Sequence, residues 1–195
     1  MNPKSYLFFY NTFLAIGWAV YLLLFISNGL ELNSSLFILL AVVQCAAVLE
    51  IVHAATGLVK SPVLITALQV FSRVFVVFLI YLLDAKEYFT VLGINGLIIV
   101  SFAWSITEVV RYSLYAASLK GKEPSFLIFA RYTFFIVLYP VGVTGEAMIG
   151  LSKLIVTHWE MNLLNLAIIA IFGSYLFFFP KLYLYMFAQR KKKIA

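Results

Sequence analysis

Residues 131–150 read RYTFFIVLYPVGVTGEAMIG. The stretch is apolar enough to lie in a bilayer, yet it carries Arg131, Pro140, the glycines Gly142 and Gly145, and a carboxyl at Glu146. A helix breaker and a charge are both costly where no water can satisfy them. Three uses are open for such a segment: catalysis, conduction of a proton or ion, and polar contact between helices.

Around it, the chain of 195 residues is 64% hydrophobic and only 11% charged, which is the composition of a membrane protein. About 20 apolar residues span the hydrocarbon as a helix, and six segments qualify: 6–27, 36–59, 62–83, 91–119, 126–154 and 163–187. The runs are continuously apolar rather than alternating, which excludes a transmembrane barrel. The expected fold is all-α: a single domain over 1–195, an integral bundle of six transmembrane helices. Connections this short leave no room for a soluble domain between spans.

The net charge of +6 comes largely from the end of the chain and does not point to nucleic acid. It bears instead on topology. With six spans, Lys4, Lys60, Lys120, Lys122 and Arg190 to Lys193 share the side of both termini, leaving Lys86 and Lys153 opposite, with Glu31, Asp84, Glu87 and Glu160. The positive-inside rule then puts both termini in the cytosol. The first apolar run is long, contains Trp18 and lacks a small-residue cleavage site, so it is expected to stay as an anchor. The final KKIA reads either as a dilysine signal for the endoplasmic reticulum, which it resembles, or as an ordinary basic stop after the last span. Asn33-Ser34-Ser35 fits a glycosylation sequon but stands too close to two spans to be used. Cys45 is the single cysteine and falls within a span, which excludes a disulfide framework. His53 and His158 have no third ligand at a useful spacing, so no metal is expected.

Besides Lys153 and Lys181, seven charged or histidine residues fall inside the spans: Glu50, His53, Arg73, Glu108, Arg111, Arg131 and Glu146. Each costs about 2.5–3.5 kcal/mol at a lipid-facing helix centre, so they are expected to face the bundle interior and meet one another. Glu50, His53, Gly57 and Lys60 form one helical stripe, and Trp104, Glu108, Arg111 and Tyr115 another; Gln69 and Arg73 are one turn apart. Taken singly, these residues read more readily as walls of a polar network than as reagents. The fifth span differs. Tyr132, Tyr139 and Glu146 follow one another at seven-residue intervals, nearly eclipsed, with about 10 Å of rise between neighbours. Pro140 should kink the helix where Gly142 and Gly145 allow bending, bringing phenol and carboxyl within the length of one substrate. A phenol that donates and a carboxyl that accepts form an acid/base pair.

The run LYPVGVTGE resembles the Tyr-Pro-x-Gly-x-x-x-Glu signature of the very-long-chain 3-hydroxyacyl-CoA dehydratases, once named protein-tyrosine-phosphatase-like proteins. YLFFYNTFLAIGW, LEIVHAATGLVKS, QVFSR and WSITEVVRYSLYA agree in order along the chain. The resemblance implies a six-span enzyme of the endoplasmic-reticulum membrane that removes water from a 3-hydroxyacyl-CoA to give the trans-2-enoyl-CoA, a step of fatty-acid elongation. It places the family's catalytic pair on Tyr139 and Glu146, and implies neither metal nor organic cofactor. HAATGLVKS has the outline of a phosphatase loop, but Ala54 stands at the nucleophile position and Lys60 at that of the arginine, so phosphatase chemistry lacks both thiolate and guanidinium.

On this reading Glu146 takes the proton alpha to the thioester and Tyr139 protonates the leaving hydroxyl, with the reverse order open. Arg131 or Arg73 is expected to supply positive charge for the enolate. The long acyl chain lies among helices and the bilayer, while Lys60, Lys120 and Lys122 attract the CoA. The condensing enzyme, ketoacyl reductase and enoyl reductase of the same cycle are the expected partners. The competing readings are a non-enzymatic scaffold of an elongase complex and a proton or anion transporter. The transporter reading lacks the internal repeat with paired broken helices that such proteins show.

Overall fold

The computed structural model of the chain describes residues 2–84 and 87–194. Lys86, assigned above to the side opposite the termini, and Ala195, the last residue of KKIA, lie outside the described residues. In chain order the elements are α1 (Pro3–Ser27), α2 (Ser34–Ala46), α3 (Val48–Ala55), α4 (Val63–Tyr81), β1 (Thr90–Val91), β2 (Ile94–Asn95), α5 (Gly96–Leu119), α6 (Ser125–Thr133), α7 (Phe135–Val156) and α8 (Leu163–Ile194). Six helical stretches are long and apolar enough to cross a membrane: α1, α2 with α3, α4, α5, α7 and α8.

Continuously apolar spans carry little information about where a helix begins, and asparagines supply it. Asn2, Asn33, Asn95 and Asn162 each accept, through Oδ1, a backbone N–H of the first turn of α1, α2, α5 and α8, at 2.9–3.0 Å. Such a cap contributes about 1 kcal/mol. At the far end of α5, Gly121 turns the chain with φ of 70°, and Lys122 N–H reaches back to the Ala117 carbonyl at 3.1 Å. A glycine is the low-strain choice for that conformation.

The sixth span runs on to Ile194 rather than ending at 187, and three differences from the sequence expectation fall within the chain. The second span ends at Ala55 rather than residue 59 and is interrupted at Ala47, which keeps helical dihedrals. The fourth starts at Gly96 rather than at 91, because 90–95 form a hairpin pairing Thr90 with Asn95 and Val91 with Ile94. Its turn, Leu92-Gly93, takes positive φ at both residues, 52° and 77°. Leucine in place of asparagine there hides the hairpin inside an apolar run. The fifth expected span, 126–154, divides into α6 and α7 at Phe134. Taking α7 as the membrane segment sets Glu146 about 17 Å of rise beyond Phe135, near the middle of a hydrocarbon core roughly 30 Å thick.

α5 is the most buried of the six spans and α8 the least. Trp18, Tyr21 and Phe25 of α1 pack with Trp104 and Tyr112 of α5 in a core from which these rings are almost wholly excluded from solvent. α5 and α7 approach closely because glycines face each other. A Cβ on Gly96 would lie 2.6 Å from the Gly145 carbonyl oxygen, and one on Gly145 2.7 Å from Ile99 Cγ2. Small residues at such contacts are a recurring device of membrane bundles.

The start of α1, the α5–α6 turn and the end of α8 share one end of the bundle. Lys120 Nζ lies 3.9 Å from the centre of the Phe8 ring, and Lys193 Nζ 3.6 Å from Glu123. At the other end, Lys153 donates to the Leu82 carbonyl at 3.0 Å and Ser152 accepts from Phe89 N–H at 2.9 Å.

Candidate active site

Pro140 sits inside α7 without ending it. The proline has no N–H for the carbonyl of Ile136, four residues earlier. That carbonyl instead accepts from the Tyr183 hydroxyl of α8 at 2.8 Å. The helix therefore continues through the proline, and its interruption lies upstream at Phe134. Tyr139 and Glu146 ride on one unbroken helix, seven residues apart on nearly the same face, with about 10 Å of rise between them.

Glu146 is buried, with 6% of its surface exposed. Its Oε1 accepts from Trp104 Nε1 of α5 at 2.9 Å and its Oε2 from the Tyr175 hydroxyl of α8 at 2.6 Å. One donor on each oxygen fixes the plane of the carboxyl. The Arg73 guanidinium of α4 stands over the Trp104 ring, 5.4 Å from its centre. Tyr139 is half-buried, its ring 5.8 Å from and edge-on to Phe135. Arg131, at the end of α6, lies beside the Tyr139 phenol. Gly142 is buried on the α5 side, where a Cβ would meet Ala103 Cβ at 3.6 Å, an ordinary contact.

The structure joins most of the intramembrane charges into one chain of contacts. Glu50 of α3 accepts two parallel hydrogen bonds from Arg111 of α5, each 2.8 Å, and a third from Tyr112. Arg111 Nε also donates to Glu108 at 2.7 Å, and Glu108 pairs in turn with Arg73. Through Arg73 and Trp104 the chain reaches Glu146. Two carboxyls, Glu50 and Glu108, thus share two guanidiniums, Arg73 and Arg111, while Glu146 is hydrogen-bonded to Trp104 and Tyr175.

The sequence expectation of three arginines against three glutamates is corrected at Arg131. Among the described residues it makes no ion pair, and it stands with Tyr139 instead. Gln69 is also corrected: it is exposed, because at its level α4 turns Thr66 and Val70 inward. His53 is buried apart from this chain of charges, its Nε2 2.9 Å from the Tyr6 hydroxyl and its ring edge-on to Tyr10 at 4.9 Å. Lys60, Lys120 and Lys122 are all exposed.

Of the residues around Glu146, Tyr175 escaped the sequence reading altogether, and Trp104 entered only as a member of a stripe. The signal for Tyr175 was slight: one phenol beside Ser174 in the otherwise apolar GSYLFFF. An apolar cavity of about 310 Å³ is lined by Ile106, Thr133, Phe134, Val137 and Leu138. A much smaller one adjoins Arg131 and Thr107. Neither has Tyr139 or Glu146 in its wall. No group of three or more potential metal ligands occurs among the described residues.

Ala54 is buried at the end of α3 and Cys45 is exposed, so the loop with the phosphatase outline holds no thiol.

With the site in view, the comparison with known proteins is direct. The profile of the family described as "Protein tyrosine phosphatase-like protein, PTPLA" matches residues 44–195. The chain belongs to the PTPLA family. It is 42% identical over 212 residues to "Very-long-chain (3R)-3-hydroxyacyl-CoA dehydratase hpo-8" of Caenorhabditis elegans, covering 98% of this chain and 95% of that one. It is 36% identical over 210 residues to "Very-long-chain (3R)-3-hydroxyacyl-CoA dehydratase 2" of Mus musculus, covering 98% and 81%. With "Very-long-chain (3R)-3-hydroxyacyl-CoA dehydratase PASTICCINO 2" of Arabidopsis thaliana it shares 34% over 215 residues, covering 98% and 94%. No solved structure matches the chain significantly. PTPLA membership thus extends the resemblance carried by LYPVGVTGE to nearly the whole chain.

Proposed function

We propose that this PTPLA chain is a lyase that removes water from a long-chain or very-long-chain 3-hydroxyacyl-CoA to give the trans-2-enoyl-CoA. The observation that carries this reading is Glu146: a buried mid-span carboxyl, held by a donor on each oxygen, on the helix face of Tyr139, in a chain whose relatives carry the dehydratase name. Glu146 takes a proton from carbon 2. The electrons of that bond form the new double bond to carbon 3, and the hydroxyl leaves as water with a proton from Tyr139. Arg73 is committed to Glu108, so Arg131, beside the Tyr139 phenol, is the cation free to stabilise charge on the thioester oxygen.

The reaction requires no cofactor. The substrate's acyl chain lies among the helices, and its CoA end meets Lys60, Lys120 and Lys122 at the end of the bundle that holds both termini. We assign that end to the cytosolic face of the endoplasmic-reticulum membrane, within reach of the condensing enzyme and the two reductases of the elongation cycle.

The test is turnover by purified protein in detergent with a long-chain 3-hydroxyacyl-CoA, followed as enoyl-CoA formation. Wild type converts it; Tyr139→Phe and Glu146→Gln lose at least about 100-fold in kcat while staying folded. Turnover near wild type in Glu146→Gln removes the carboxyl from the chemistry, and an inactive parent protein leaves the scaffold reading standing.

A further inference from the structure

The phenol hydrogen-bonded to Glu146 is not Tyr139. It is Tyr175, from the last span. Continuity of α7 through Pro140 keeps Tyr139 about two turns from Glu146 along the axis, so the two do not touch through the helix. Tyr175 reaches Glu146 from α8, and its place is built. One turn beyond Glu146 on α7, Gly150 leaves a hollow in which the ring of Phe172 lies so close that any Cβ there would overlap it. Phe172 is one turn before Tyr175 on α8, and their rings meet edge-on at 5.3 Å. Glycine hollow and aromatic knob thus set the register of α8 against α7, and that register delivers the Tyr175 hydroxyl to Oε2.

We propose that Tyr175 is a positioning residue for the dehydration, acting through Glu146. With Trp104 it locks the carboxyl plane, so that the remaining lone pairs meet the proton on carbon 2 in one orientation. The inference rests on the assignment of Glu146 as the base. The charged group facing Glu146 from α4 is Arg73, itself paired with Glu108 of α5; from α8 comes Tyr175, and from α5 Trp104. α8 is the least buried span, held in this region by α7. The carboxyl's orientation therefore depends on the seating of a peripheral helix.

The experiment compares wild type, Tyr175→Phe, Gly150→Ala and Glu146→Gln in detergent, reading kcat and KM per folded protein, and Tm. Tyr175→Phe keeps the ring and removes one donor to the carboxylate. The expected result is a fall in kcat of roughly 10- to 100-fold with KM within about twofold of wild type. Gly150→Ala displaces Phe172 and gives the same signature more weakly. Fluorotyrosine at position 175, which restores a donor of nearly the same shape, restores kcat, and the loss in Tyr175→Phe comes with Tm unchanged, a kcat-only split that a merely structural role does not give.

Wild-type kcat in Tyr175→Phe, with Glu146→Gln inactive, overturns this inference alone. Full activity in Glu146→Gln overturns it together with the assignment of the base.

Discussion

Trp104 on α5 donates to Glu146 on α7 at 2.9 Å, and this contact exists because the residue before the acid is Gly145. A side chain there would drive the two helices apart: its Cβ would stand 2.7 Å from Ile99 Cγ2 and 2.9 Å from Val100 Cγ2. The glycine that governs this approach is therefore Gly145, an unspecified position of the signature; Gly142, the signature's own glycine, has ordinary space around it.

Gly145→Ala is expected to destabilise the protein by about 1–3 kcal/mol, the usual range for overpacking. It should also weaken the indole–carboxyl bond, lowering both Tm in detergent and kcat. Gly142→Ala, whose Cβ meets Ala103 at 3.6 Å, should leave Tm nearly unchanged. Equal losses in the two variants would show that the α5–α7 approach is not set at Gly145.

The bond from Tyr183 to the Ile136 carbonyl replaces the one that Pro140 removes. Tyr183→Phe leaves that carbonyl without a donor at about 1–3 kcal/mol. In a Pro140→Ala background the restored backbone N–H takes the carbonyl, and the same change should cost under ~1 kcal/mol. A double-mutant cycle on unfolding free energy checks this; simple additivity would refute the compensation.

Arg111 bridges Glu50 and Glu108 inside the bundle. Arg111→Leu strands both carboxyls and should cost about 3–5 kcal/mol, read as loss of monodisperse protein after mild heating. Arg111→Lys keeps the charge but cannot reproduce the two parallel bonds to Glu50, so it should recover only part of that stability. A Leu variant as stable as wild type would mean that the network is ornamental to folding.

The exposed lysines at the terminal end are predicted to act on capture, not on chemistry. Lys60→Glu with Lys122→Glu should raise KM for the CoA substrate roughly tenfold at low ionic strength, leave kcat unchanged, and lose most of that effect near 1 M salt, where the Debye length is about 3 Å. Lys120 is left intact because its ammonium also packs on Phe8. A salt-independent change in KM would place the CoA elsewhere.

Much of this molecule was legible before any coordinates. Continuous apolar runs of spanning length have no other stable solution in a bilayer than helices, and the LYPVGVTGE motif singled out Tyr139 and Glu146. The same continuity made span ends hard to read: a hairpin whose turn is Leu92-Gly93 and a helix junction at Phe134 look like the apolar sequence around them. Helical stripes put Glu108 and Arg111 on one face, and Glu50 and Arg73 on polar faces of their own helices, since residues one turn apart share a face whatever the packing.

What periodicity within one helix could not give was the contact between helices. Pairing of Glu146 with Trp104 and Tyr175, the separation of Arg131 from the carboxyls, and the outward turn of Gln69 all depend on how far one helix slides and rotates against another. That register is decided by close packing at Gly96, Gly145 and Gly150, where the lack of a side chain lets backbones meet. Sequence by itself determined which helices form and which polar residues they carry into the membrane. Only the tertiary structure decided which of those residues meet, because interhelical distance and rotation follow from the packing of every side chain at the interface.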